Sequence, residues 1–355
     1  MSHIIIEGYK MFRVIQSLFL FLGFVTFIAC GGGSTGSKKA DNQLENNIEE
    51  DTEEESNRIY GVKGKYSVAS PWEEPDSNMS VVYYPSIISK SSPTPVVFFA
   101  PGWESVNHKS YETLLKFIAS HGYTVIYAKD DTGAYSGKHL IRYFREMMNN
   151  SEVEPYVDTS RIGVIGHSSG GGHAFKILKE FSDEGWGSKG RFLLSLDPWF
   201  AFDMNKSDMK ALPSNTNVVI IQFGKGGESK SNGTDTRVPL SEYYLLSSIP
   251  KSQKDYQVYE SATHSYPVGA KNYNEMQGIL KPLDALMEYT FKSSKNLKAH
   301  QVALEVGSDD PYKNGQGIQS VKATDTYHYR CDGNDNSGAI RTLVETDIDY
   351  CAMEK

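Results

Sequence analysis

The sequence predicts an α/β fold, a mostly parallel central sheet with helices on both faces. Three observations carry this. Between Tyr60 and Ser293, strand-like and helix-like segments alternate, as they do in chains that wind a parallel sheet. Arg161–Ile165 is a short, β-branched apolar run that passes through a glycine-rich turn, GHSSGGG, into an apolar-periodic segment containing Ala174, Phe175, Ile177 and Leu178. The 355 residues are 39% hydrophobic and 12% aromatic, ample for a buried core and too apolar for a disordered chain.

The segment before that body reads differently. Lys10 and Arg13 precede Leu18–Ala29, an apolar run too short to serve comfortably as a stop-transfer helix, so residues 1–29 are expected to be a secretory signal peptide. Phe27-Ile28-Ala29-Cys30, followed by glycines, resembles the lipobox of bacterial lipoproteins. That resemblance implies a lipidated Cys30 as mature N-terminus; an ordinary signal peptide with an incidental cysteine is the alternative. The other two cysteines, Cys331 and Cys351, then form an even pair, and an oxidising compartment makes a disulfide between them plausible. Residues 30–57 turn Gly/Ser-rich and then acidic, with Asp41, Glu45, Glu49, Glu50, Asp51, Glu53, Glu54 and Glu55 unrelieved by a base. Like charges so dense repel, which is how an extended tether behaves.

Residues 58–294 are expected to form the main domain. Gly64–Ser70 and Ser80–Tyr84 are the first strand candidates, expected to be antiparallel. Val96–Ala100, Tyr123–Ala128, Arg161–Ile165, Phe192–Leu196, Val218–Phe223 and Tyr256–Tyr259 follow. Helical patterns cover Tyr111–His121, His139–Met148, Ser169–Phe181, Ser241–Leu246 and Asn274–Phe291, the last expected to kink or break at Pro282. After Lys295 the helical pattern stops. Residues 295–355 read as a small β-rich extension with strands at Val302–Val306, Gly317–Ala323, Thr326–Tyr329 and Ile340–Glu345. Asp332–Gly338 has a superficial calcium-loop look, but its glycine is one place late and no glutamate stands at the twelfth position, so a turn is the better reading.

The glycine-rich turn carries the chemistry. Gly166-His167-Ser168-Ser169-Gly170 is a G-x-S-x-G between a strand and a helix, an arrangement that holds Ser168 in a sharp, strained turn where flanking side chains would collide with backbone. The helix that follows aims its positive end at the place where an oxyanion would form.

Four segments together resemble the α/β-hydrolase superfamily, in particular its platelet-activating-factor-acetylhydrolase-like and bacterial cutinase/polyester-hydrolase branch. They are VVYYP at Val81–Pro85, VVFFAPGW at Val96–Trp103, the Tyr156–Ser160 loop leading into RIGVIGHSSGGG, and SATHSY at Ser261–Tyr266. The resemblance implies a serine carboxylic-ester hydrolase with Ser168 as nucleophile. A serine hydroxyl needs a base at neutral pH. His264 lies C-terminal to the serine, in a small-residue turn after the last strand, which is the order such hydrolases use. The other histidines fit less well: His167 sits inside the turn, His173 in the helix after it and His121 at a helix end. His108 and His139 fall in loops or helix starts, His3 in the leader, and His300 and His328 in the tail.

Two aspartates compete to orient His264. Asp197, in Leu196-Asp197-Pro198-Trp199, ends the strand after the nucleophile's, where chlorophyllases and acetylhydrolase-like enzymes take their acid. Asp235, in DTRVP, resembles the polyester hydrolases' D-x-x-[VA]-P, although Gly224–Thr234 is longer than that pattern's connection. Both stay open, Asp197 slightly ahead. Backbone N–H groups of Ser169 and Trp103 are the expected oxyanion donors, and Trp199 is a candidate wall of the acyl pocket.

The expected partners are a small-molecule or polymeric ester substrate and a membrane, reached through the lipid anchor. Export to an outer membrane or cell surface is the expected location. A net charge of −8 offers no field for nucleic acid, no cofactor is required, no metal-ligand constellation stands out, and a monomer is expected. A lipid esterase of the phospholipase or acetylhydrolase kind, and a non-catalytic binding lipoprotein on the same scaffold, are the alternatives.

Overall fold

A computed structural model of the protein describes residues 57–73, 79–133, 136–224, 237–259, 261–306, 318–320, 347–348 and 350. Cys30, Asp235, Cys331 and Cys351 lie outside the described residues. So do the expected strands Thr326–Tyr329 and Ile340–Glu345, the Asp332–Gly338 turn, the signal peptide and almost all of the acidic tether.

One sheet, nine-stranded among the described residues, organises the fold. Its strands are β1 (Trp72–Glu73), β2 (Ser80–Tyr83), β3 (Thr94–Ala100), β4 (Thr124–Ala128), β5 (Val157–His167), β6 (Gly190–Leu196), β7 (Thr216–Phe223), β8 (Lys254–Tyr259) and β9 (Ile318–Ser320). Their spatial order is β1-β2-β4-β3-β5-β6-β7-β8-β9. The strands from β4 through β8 in that order run parallel, while β1, β2 and β9 are antiparallel to their neighbours. The expected α/β architecture with a mostly parallel sheet is therefore present.

Alternation along β3 divides the core. Val96, Phe98 and Ala100 pack to one side with helices α2 (Lys138–Met148), α3 (Ser169–Asp183) and α5 (Arg237–Leu245). Val97 and Phe99 pack to the other with α1 (Glu112–Ser120), α6 (Gln277–Phe291) and α7 (Leu297–Leu304). Strands covered on both faces read as continuous apolar runs, which is why these were easy to recognise. A short helix, α4 (Lys206–Lys210), follows β6 and carries a capping box between Asn205 and Asp208.

Three expectations are corrected. Residues 64–70 contribute only an isolated bridge, Val68 to Pro85, because the backbone bonds of their first half go elsewhere. Gly64 N–H donates to the Ser120 hydroxyl and Tyr66 N–H to the Ser120 carbonyl, at the end of α1. The edge strand is Trp72–Glu73 instead. Helix α6 runs uninterrupted through Pro282, and burial of every residue from Gln277 to Glu288 holds it in place. Residues 302–304 are helical, not extended: the Asn296 side chain caps α7 by accepting the Ala299 N–H at 2.9 Å, and Ala299 and Ala303 bury one helix face. The described residues after 294 also join the body. Ile318–Ser320 pairs with β8, and the hydroxyl oxygen of the buried Tyr350 accepts the Ala201 N–H at 3.0 Å.

Candidate active site

The parallel strands deliver their following loops to one edge of the sheet. From β3 the chain moves outward to β4, and from β5 it moves the other way to β6, so the loops after these adjacent strands diverge. Such a switch point leaves a crevice at the carboxyl ends of the strands. Ser168 follows β5 there, and Gly102 follows β3. A Cβ placed on Gly102 would lie 3.6 Å from the Ser168 Cβ, so the two loops touch at this point.

Ser168 has φ 56° and ψ −121° and stands as the N-cap of α3. This left-handed backbone is costly for serine and persists because its surroundings determine it. A Cβ on Gly166 would collide with the Gly170 carbonyl, and one on Gly170 with the Ala100 and Pro101 carbonyls. The elbow is thus too tight for any other residue at either glycine. The Ser168 N–H donates to the Leu196 carbonyl at 3.0 Å, and the Ser168 carbonyl accepts the Trp199 N–H at 2.9 Å, fastening the turn to the end of β6.

Three of the predicted side chains meet. His264 Nε2 lies 2.9 Å from Ser168 Oγ, and His264 Nδ1 lies 2.5 Å from Asp197 Oδ2. Asp197 is fully buried, while the His264 side chain is about one-third exposed on the crevice. The second Asp197 oxygen accepts the Phe223 N–H at 3.2 Å, from the end of β7. Asp197 itself takes φ 41°, a second strained position next to the first. With a carboxylate on Nδ1, the imidazole keeps its proton there and offers Nε2 as acceptor to the serine hydroxyl. This arrangement can take a proton from Ser168 and stabilise the resulting imidazolium.

Trp103 and Trp199 also come together, their rings in edge contact with centroids 5.9 Å apart, both half-buried. Ser169 is fully buried at the first position of α3, and its hydroxyl has no hydrogen-bond partner among the described residues. Asp235 lies outside the described residues.

Sequence reasoning passed over two groups beside the serine. The His167 ring is buried against His264, centroids 4.9 Å apart, and Tyr111 is buried next to it. Burial, followed by the neighbouring His264, pushes the His167 pKa down to about 3, so its ring is neutral. The only hint in the sequence was position: a titratable residue inside the elbow has no room to face solvent. Asp130, two residues past the end of β4, was also passed over. It accepts the Glu104 N–H at 3.0 Å and His139 Nε2–H at 3.0 Å, and so anchors the loop that carries Trp103.

Comparison with known proteins bears on this geometry. A family model described as PET hydrolase-like matches residues 45–212. The matched stretch includes Trp103, Ser168, Asp197 and Trp199 and ends before His264. No curated protein matches the chain.

Proposed function

We propose that this chain is an α/β-hydrolase that cleaves carboxylic ester bonds, in keeping with its PET hydrolase-like match, and that the reaction runs through Ser168, His264 and Asp197. The observation that carries this reading is the unbroken line from Asp197 Oδ2 through His264 to Ser168 Oγ, 2.5 Å and 2.9 Å in its two links. Ser168 Oγ attacks the ester carbonyl as its proton passes to His264 Nε2. The N–H groups of Ser169 and Trp103 receive the oxyanion, helped by the positive end of α3. His264 then protonates the departing alcohol. Water, deprotonated by the same imidazole, resolves the acyl-enzyme and restores Ser168.

The substrate we propose is a polyester or a small ester, since the PET hydrolase-like match covers the crevice residues. The Trp103–Trp199 pair supplies an aromatic wall suited to an apolar acyl group. Lipid esters are the competing class. A panel of short-chain and long-chain p-nitrophenyl esters, an aromatic polyester film and phospholipid vesicles separates them.

The direct test uses Ser168→Ala. It should abolish p-nitrophenyl ester hydrolysis and covalent labelling by a fluorophosphonate, and retained labelling would refute the nucleophile. We also propose that residues 1–29 are a signal peptide and that Cys30 is lipidated. On this reading residues 30–57 tether the catalytic domain to an outer membrane or cell surface, and Cys331 pairs with Cys351. Cys30→Ser should move the protein out of the membrane fraction, and persistence there would reject the anchor.

A further inference from the structure

We propose that His167 is a positioning residue whose neutral imidazole holds the main chain of His264 and so sets where the base meets the serine. This rests on the reading of Ser168 and His264 as nucleophile and base.

The hydrogen bonds around His167 admit one arrangement. Its Nε2 lies 2.8 Å from the carbonyl oxygen of His264. A carbonyl only accepts, so Nε2 carries the proton. In a neutral ring Nδ1 is then an acceptor, and it lies 2.8 Å from the Tyr111 hydroxyl, which donates to it. The Tyr111 oxygen in turn accepts the Gly102 N–H at 3.1 Å. Each donor faces one acceptor, in a chain that runs from Gly102 to Tyr111 to the His167 ring and on to His264.

That chain joins the parts of the site that must stay in register. Gly102 begins the loop carrying Trp103. Tyr111 ends the single-turn helix His108–Tyr111 ahead of α1. His167 ends β5 and immediately precedes Ser168. His264 lies beyond β8 in a turn whose local bonds, Ala262 N–H to Tyr259 O and Tyr266 N–H to Thr263 O, fold it on itself. The His167 bond ties this turn to the elbow, so the segment that presents the nucleophile also locates the base.

The residue is 4% exposed and its ring lies tilted at 39° against that of His264, so water has little access to replace the bond. Misplacing a reacting group by about 1 Å can cost on the order of a hundredfold in rate. The carbonyl bond therefore acts on kcat through geometry and makes no contact with substrate.

Three variants test this against p-nitrophenyl butyrate, with thermal melting and fluorophosphonate labelling as controls. His167→Leu should lower kcat by roughly ten- to a hundredfold and leave KM within about threefold. His167→Gln, whose amide N–H can reach the same carbonyl, should recover at least half of that loss on a logarithmic scale. Tyr111→Phe should fold with Gly102 unpartnered and lose roughly three- to tenfold in kcat. A folded His167→Leu with kcat within twofold of the parent overturns the proposal, as does a Gln variant no better than Leu. Should the Leu variant not fold, an unchanged kcat in Tyr111→Phe overturns it alone. A parent enzyme that the fluorophosphonate does not label would refute the serine reading and this inference with it. Normal parent labelling with unaffected variants refutes this inference only.

Discussion

Replacing Asp197 by asparagine alters one atom and should reverse the imidazole. Asp197 Oδ1 accepts the Phe223 N–H at 3.2 Å, and that donor will hold the amide oxygen of the new side chain in the same place. The amide nitrogen must then occupy the position of Oδ2, 2.5 Å from His264 Nδ1 in the parent. Two donors cannot face each other, so Nδ1 becomes the acceptor and the ring proton moves to Nε2. Nε2 then presents a proton to Ser168 Oγ and can no longer take one. In a serine protease the corresponding change lowers kcat by about 10⁴, which is about 5.5 kcal/mol in the barrier. A loss of about that size is expected here, with KM little changed, because Asp197 is fully buried away from the crevice. Initial rates on a short-chain p-nitrophenyl ester over a range of concentrations measure both. Asp235→Asn serves as the parallel variant. If Asp197→Asn keeps kcat within tenfold of the parent while Asp235→Asn loses orders of magnitude, the assignment of the acid is wrong.

Three further outcomes concern stability. Gly170→Ala should destabilise by about 3 kcal/mol or more in urea titration, since its Cβ would strike the Ala100 and Pro101 carbonyls; an unchanged midpoint would show that the elbow can open. Asp284→Ala should cost about 3–5 kcal/mol, because the carboxylate accepts from Arg58 Nη2 at 2.8 Å and from the Gly61 N–H at 3.0 Å; a loss under 1 kcal/mol would mean these groups re-pair. Glu242 is fully buried with neither oxygen bonded among the described residues, and burial pushes its carboxyl well above the usual range. A raised folded-state pKa means stability is lost as pH climbs through the ordinary carboxylate range and beyond. Glu242→Gln should therefore melt higher than the parent at pH 7, with the gap closing near pH 4. A gap independent of pH would refute that origin.

Legibility in the sequence followed the source of each element's stability. The parallel strands were plain because both faces are covered, so Val96–Ala100 and Val218–Phe223 are apolar at nearly every position. The elbow was plain because its geometry tolerates only glycine at 166 and 170. Elements held by particular polar partners were not. Helix α7 depends on the Asn296 cap, and its Val302–Leu304 end has the β-branched, apolar look of a strand. Residues 64–70 have strand composition, yet the end of α1 takes the Gly64 and Tyr66 N–H groups and leaves only Ser67 and Ala69 to bond beside β2. Pro282 lacks an N–H and should weaken a helix, but burial around it outweighs one missing bond.

The choice between two aspartates was illegible for a different reason. In sequence both follow strand-like runs C-terminal to Ser168, and their spacing from Ser168 says nothing about how far the histidine loop folds back. That distance is a property of the whole sheet. His264 leaves β8 and must cross the end of β7 to reach the elbow at β5, so its ring passes over β6 on the way. Asp197 meets it there from the end of β6, turned upward by its left-handed backbone. The end of β7 supplies a backbone donor instead, Phe223 N–H, which orients the same carboxylate. A carboxylate at the end of β6 with an amide at the end of β7 is a self-consistent division of roles, since one group accepts from the imidazole and the other fixes the acceptor. No pairwise spacing along the chain encodes it; the order of the strands does.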